Sequence, residues 1–305
     1  MNILDTYDIF KLICNESSKF IKFEFISKFH KTTIRNHNWQ NHTITILNNN
    51  AFEYIINNFK FTNLKIDSSC DVNQYIDKII NCHTLDLSMT NITNENVKKL
   101  KFCHTLNLSM TKISDEGVEE LGMCHTLILF RVNISDVSVK KLGKCHTLIL
   151  NYANISDVSV KKLKYCHTLG LTGTKITDYS VRKLKRCYEL YLAYTNITDY
   201  SVRKLKNCYA LSLYSEKISD ISIKKLGKCH TLDIPFANIT DISIKKLKYC
   251  HTLNLSHIKK LTDISAIKLI NCYKLNLSCT KVTNNMIQRL LENGCIVCAF
   301  YKLLK

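Results

Sequence analysis

Proline and glycine are almost missing: one Pro and seven Gly in 305 residues. That scarcity excludes flexible or polyproline linkers, and with them a string of loosely tethered domains. Acidic residues are also few, 25 against 43 Lys and Arg, giving a formal net charge of +18. Heavy use of Asn, Lys, Ile and Tyr points to an AT-rich coding bias, which weakens the charge as a functional signal. No stretch approaches the roughly 18 apolar residues of a membrane-spanning helix. The opening MNILDTYDIF lacks the basic-then-apolar layout of a secretory leader. The expectation is a cytoplasmic or nuclear protein (host cytoplasm if viral) with no membrane segment. The sequence also contains no glycine-rich phosphate loop and no nucleophile elbow, and Cys295-x-x-Cys298 has no partner pair. A non-enzymatic protein without cofactor or metal is expected.

What the chain does have is a phrase. Cys-His-Thr-Leu begins at Cys82, Cys103, Cys124, Cys145, Cys166, Cys229 and Cys250, and Cys-Tyr-x-Leu at Cys187, Cys208 and Cys272. The spacing is 21 residues until Cys250, after which one added residue makes it 22. A fixed period of about 20–29 residues marks a solenoid of strand-plus-helix units. In Cys145–Tyr165, Leu148 and Leu150 alternate with Ile149 as in a short strand, the leucines inward. Ile155 returns to the core after a turn, Ser156 and Asp157 read as a helix N-cap, and Val160 and Leu163 form the buried side of a short helix. Lys161, Lys162 and Lys164 take the wet side.

The fold class expected is α/β: a leucine-rich-repeat solenoid with a curved parallel sheet on the concave side and short helices on the convex side. Residues 82–294 hold ten repeats, 43–81 two degenerate ones with strands near Ile44–Leu47 and Leu64–Ile66, and 295–305 a terminal strand and cap. About 13 strands at ~4.8 Å spacing give a surface about 55–60 Å long. The ten repeat cysteines stack with their side chains pointing the same way. Their Cβ atoms are then too far apart for bridges, so reduced, structural thiols are expected.

The pattern C-x-x-L-x-L-x-x-T-x-I-[ST]-D over residues 82–294 resembles the leucine-rich-repeat family, especially the variants of F-box proteins. Thr90, Thr111, Thr174, Thr195 and Thr280 stand where that family usually has asparagine. Residues 1–42 break the period. Leu4-Asp5-x-x-Asp8-Ile9-Phe10-x-Leu12-Ile13, then Phe25-Ile26-Ser27-Lys28-Phe29 and Trp39, resemble an F-box without its opening proline. The resemblance implies a segment in which Leu4, Ile9, Phe10, Leu12, Ile13, Phe25 and Phe29 dock to the adaptor subunit of a cullin-based ubiquitin ligase. The other reading of 1–42 is a helical cap over the end of the array, which every solenoid needs. F-box/leucine-rich-repeat proteins of amoeba-infecting giant DNA viruses are similar in arrangement and coding bias, which implies a viral substrate receptor.

Folding leaves some positions free to vary. Outward strand positions and those just after the second leucine are polar at the ends of the array. In the middle they collect Ile128, Phe130, Arg131, Ile149, Tyr152, Tyr191, Tyr194, Tyr214 and Phe236. An exposed aromatic patch with a polar rim marks an interaction site, here for a protein target on the concave face of a monomer. Two alternatives are a repeat scaffold with a cap and no ligase role, and a basic nucleic-acid binder using the helix-side lysines. The last is disfavoured, because the aromatic patch and the basic ridge are assigned to opposite faces. The histidines after each cysteine read as a structural stack.

Overall fold

The computed structural model describes residues 43–299; the F-box-like positions Leu4 to Phe29 lie outside the described residues. Within them, thirteen strands form one parallel sheet in strict chain order, the first twelve each followed by a helix or helical turn. The first strands are Thr43–Ile46 and Asn63–Ile66, and the last is Ile296–Cys298.

Pairing runs with no shift from one repeat to the next. Leu106 faces Leu127, Leu127 faces Leu148 and Leu148 faces Leu169, because these units are all 21 residues long. Beyond each strand the ladder continues through the turn, as where Leu129 N–H donates to Ile149 O and Arg131 N–H to Asn151 O. The inward leucines, the post-turn isoleucines and the helix-closing leucines are buried in one continuous core that includes the cysteines. A register slip of one residue would turn each leucine pair outward, so the period itself is what the core enforces.

Between positions 115 and 266 the helices are single turns of four residues, such as Asp157–Val160 and Asp178–Val181. So short a helix is not stable alone, and tertiary bonds hold it. Ser156 caps its own helix by accepting from Val158 N–H, as read from the sequence. Asp157 does something else. Its carboxylate reaches into the next repeat and accepts from Thr177 N–H at 2.9 Å, Thr177 Oγ1 at 2.5 Å and Ser180 Oγ at 2.5 Å. Asp178 does the same with Thr198 and Ser201, and Asp115, Asp136 and Asp241 repeat the bridge to their neighbours. This corrects the reading of Asp157 as part of its own cap, and explains the buried serines Ser138, Ser159, Ser180 and Ser201. Burial works to raise the Asp178 carboxyl, and the bonds from Ser201 and Thr198 outweigh it, so it titrates below the ordinary aspartate range.

The turn threonines also find a role. The hydroxyls of Thr90, Thr111, Thr174 and Thr195 each donate to the leucine carbonyl three residues back, at 2.6–2.7 Å. Repeat cysteines are buried thiols, none in a disulfide. Burial pushes Cys187 and Cys229 up to about 12.

Two outcomes follow. Asp178→Ala should lower stability by roughly 3 kcal/mol, since charge-assisted bonds are lost and buried donors orphaned; urea denaturation measures it. The carboxylate contribution is present above the ordinary aspartate range and disappears as pH falls through the depressed folded values. Iodoacetamide at pH 8 should label Cys279 and Cys298, which are half-buried, before any described repeat cysteine, with peptide mapping as the readout.

Candidate functional site: the aromatic runs on the sheet face

The turn after most of the strands carries an unusual backbone. Met89, Met110, Arg131, Tyr152, Tyr194, Phe236, His257 and Cys279 all have φ between 54° and 63°, in the left-handed region. That conformation costs a non-glycine residue roughly 1–2 kcal/mol. In most of these turns the N–H is tied across to the next repeat, as Tyr152 to Thr172 O at 2.7 Å and His257 to Ser278 O at 2.8 Å, which offsets that cost. Most repeats therefore share this backbone geometry without sharing a side chain.

The nine concave-face residues resolve into smaller groups. Tyr194 and Tyr214 stack at 4.3 Å between centroids, Tyr214 meets Phe236 at 4.7 Å, and Phe236 stacks on His257 at 4.1 Å. His257 was not among the residues expected at the site; its place at the left-handed turn makes it the fourth ring. Phe130 and Tyr152 meet edge to face at 5.6 Å, with the Arg131 guanidinium 5.3 Å from both ring centres. Ile128 and Ile149 are neighbours in register and half-buried. Tyr191 joins neither group, since its hydroxyl donates to Glu189 Oε2 at 3.2 Å.

Gly173 separates the two aromatic groups. A Cβ there would lie 2.5 Å from Cδ1 of Tyr152, so the tyrosine ring lies over the glycine. Tyr194 remains 57% exposed and Tyr152 44%, enough to present flat aromatic surface to a partner. Tyr214 has its hydroxyl pushed upward, first by burial and then by its contact with Tyr194.

A second run lies at the leading end of the strands. His83, His104, His125, His146, His167, Tyr188, Tyr209, His230, His251 and Tyr273 stack ring on ring, centroids 4.3–4.6 Å apart and planes within 26°. The histidine stack was expected; its continuation through three tyrosines was not. Most of the histidines also place Nδ1 within 3.2–3.4 Å of the following threonine hydroxyl. Among the described residues, no group of three or more His, Cys, Asp or Glu could hold a metal ion.

The helix side differs from expectation in one respect. Tyr165, Tyr179 and Tyr200 are exposed there among the lysines and arginines. Aromatic and basic groups therefore share this face too, in addition to the rings on the sheet face.

The family "Leucine Rich repeat" matches residues 104–122. A search of curated proteins found no match. Among solved structures, an internalin (inlF) from Listeria monocytogenes is similar at 21% identity and a TM-score of 0.56, over 80% of this chain and 82% of its own. The TLR13–ssRNA13 complex is similar at 20% identity and a TM-score of 0.51, over 75% of this chain but only 38% of that receptor. These likenesses show the fold, a leucine-rich-repeat solenoid.

The histidine run predicts acid sensitivity. Burial first, and then the neighbouring histidines, hold His104 and His146 below the ordinary imidazole range. The folded state thus favours neutral rings, so their contribution is full above about pH 6.5 and falls away as pH drops through that value to the folded ones. Replacing His104 and His146 by Tyr, the residue already used at 188, 209 and 273, should flatten the fall in melting temperature between pH 7.5 and 5.

Proposed function

We propose that this protein is a non-enzymatic binding scaffold that captures a protein target on the concave face, through the rings of Tyr194, Tyr214, Phe236 and His257 together with Phe130, Arg131 and Tyr152. The observation that carries this is internal to the chain. At the same left-handed turn position other repeats manage with Met89, Met110, Gly173 or Cys279, so folding does not ask for aromatics. Large exposed rings at the centre of a binding face are the residues on which interface energy concentrates. Ile128, Ile149 and Tyr191 extend this apolar centre.

The F-box-like pattern in residues 1–42 supports a further step: the bound target is presented to a cullin-based ubiquitin ligase, with Ile9 and Phe10 among the docking residues. That step rests on the sequence pattern alone. The scaffold reading does not depend on it.

Two comparisons test the readings separately. Proteins crosslinked from a eukaryotic lysate to the full-length chain should be lost on the Y194A/Y214A/F236A variant; an unchanged set defeats the concave-face reading. Purified cullin adaptor should bind the full chain and not I9D/F10D. Failure of wild type to bind it removes the ligase step and leaves the scaffold.

A further inference from the structure

The charges of the helix side are unevenly balanced. Among the described residues, the side-chain ion pairs are Lys98–Glu116, Lys99–Asp77, Lys101–Glu120 and Lys141–Glu119, all in the first half of the array. Further along, the repeat aspartates Asp157 and Asp178 are already occupied by serine and threonine donors of the next unit. The cations that follow are left without a carboxylate at ion-pairing distance.

They enclose a space. An open groove of about 1340 Å³ runs across the helices between Lys164 and Lys225, and nine of its twelve lining residues are Lys or Arg, with no Asp or Glu. Arg182, Arg186 and Arg203 all line it, three of the six arginines in the chain. Arginine matters because its planar fork grips phosphate oxygens in pairs and its face stacks on rings. Tyr165 and Tyr200 line the groove too, and Tyr179 adjoins it, its ring 5.1 Å from the Arg182 guanidinium; Arg203 lies 5.2 Å from Tyr200.

Comparing repeats separates folding from function. The position of Tyr179 and Tyr200 is Val137, Val158, Ile221, Ile242 or Ile264 in most other repeats and Glu95 or Glu116 in two, and the position of Arg182 and Arg203 is Lys98, Lys140, Lys161, Lys224 or Lys245, with Glu119 and Ile267 in two more. The four-residue helices are alike in the Val, Ile and Tyr repeats. Aromatic and arginine thus appear together, in two adjacent repeats, at the groove, with no structural need. An anionic lipid surface would satisfy the cations but makes no use of ring faces, and a duplex hides its bases. A flexible chain of phosphates with free bases uses both.

We propose that this groove is a binding site for single-stranded nucleic acid, in which Arg182, Arg186 and Arg203 hold phosphates while Tyr165, Tyr179 and Tyr200 stack on bases. It is separate from the concave face, so the protein has two binding surfaces.

Fluorescence anisotropy with a fluorescein-labelled 12-nucleotide oligouridylate and the full chain tests this. Wild type should bind saturably, with affinity falling steeply as salt rises from 50 to 300 mM. R182Q/R186Q/R203Q should bind at least tenfold more weakly, with the slope of log K against log salt shallower by about 2. Y179V/Y200V, which installs a neighbouring repeat's residue and so keeps the fold, should weaken binding with the slope unchanged. K245Q/K246Q/K248Q, removing as much charge outside the groove, and Y194A/Y214A/F236A should bind like wild type. Circular dichroism melts confirm that each variant is folded. Equal loss in the lysine variant would reduce the site to diffuse charge and overturn the proposal. So would tighter binding of a 12-base-pair duplex, or binding of phosphatidylserine vesicles without saturable binding of the oligonucleotide.

Discussion

Zero-shift stacking of one 21-residue unit on the next is the constraint from which the rest of this molecule follows. Once Leu127, Leu148 and Leu169 must face one another, every other position in the repeat is brought into line with its counterparts. Each column then has to tolerate its own kind at close range. Leucine columns do so by packing, cysteines as small buried thiols, and histidine and tyrosine by stacking rings at 4.3–4.6 Å. A column of carboxylates would repel, and the aspartates avoid this by turning into the neighbouring repeat, where hydroxyl and amide donors take up the charge. The same bond that fixes the helix therefore also joins the units, which suits an array whose stability is a sum of nearest-neighbour contacts.

That settlement has an electrostatic consequence. Because the repeat aspartates are used internally, they do little to balance lysines on the helix face. In the first half Glu116, Glu119 and Glu120 supply partners from outside the motif. In the second half nothing equivalent stands beside Arg182, Arg186 and Arg203, and a basic groove results. The net charge read from composition could be dismissed as coding bias; its concentration on one part of one face cannot be explained that way.

Much of this was legible in the sequence because a repeat reports its own structure many times over. Period, strand leucines, helix-closing leucines and the free cysteines could all be read before any coordinates, since each depends on alternation and spacing. The histidine stack could be read as well, but its passage through Tyr188, Tyr209 and Tyr273 depended on ring geometry. The aspartate bridges were misread because a Ser-Asp pair before a helix is locally a cap, and only the distance to the next unit shows which donors the carboxylate meets. The left-handed turn was hidden for a different reason. Glycine would have announced it, and Gly173 alone does so, while Met89, Tyr152 and Phe236 adopt the same φ unannounced. Tyr179 and Tyr200 were passed over because they occupy a helix position assumed to be filler.

Departures between repeats are where function can be sought in such a protein, since shared residues already have a structural explanation. Two sets of departures stand out. On the sheet face, four rings from Tyr194 to His257 form a continuous surface, three of them at a turn position that in other repeats holds methionine, glycine or cysteine and Tyr214 at a position that in several other repeats holds serine or alanine. On the helix face, Tyr and Arg replace Val or Ile and Lys together in adjacent repeats. The two sets involve neighbouring units, around residues 179 to 257, so two ligands bound there would share a scaffold of only a few repeats. The carboxylate bridges join these same units, from Asp178 through Asp241. Loosening one bridge would disturb both surfaces at once, whereas changing an exposed ring on either face should leave the other intact, and that asymmetry separates residues that build the scaffold from residues that use it.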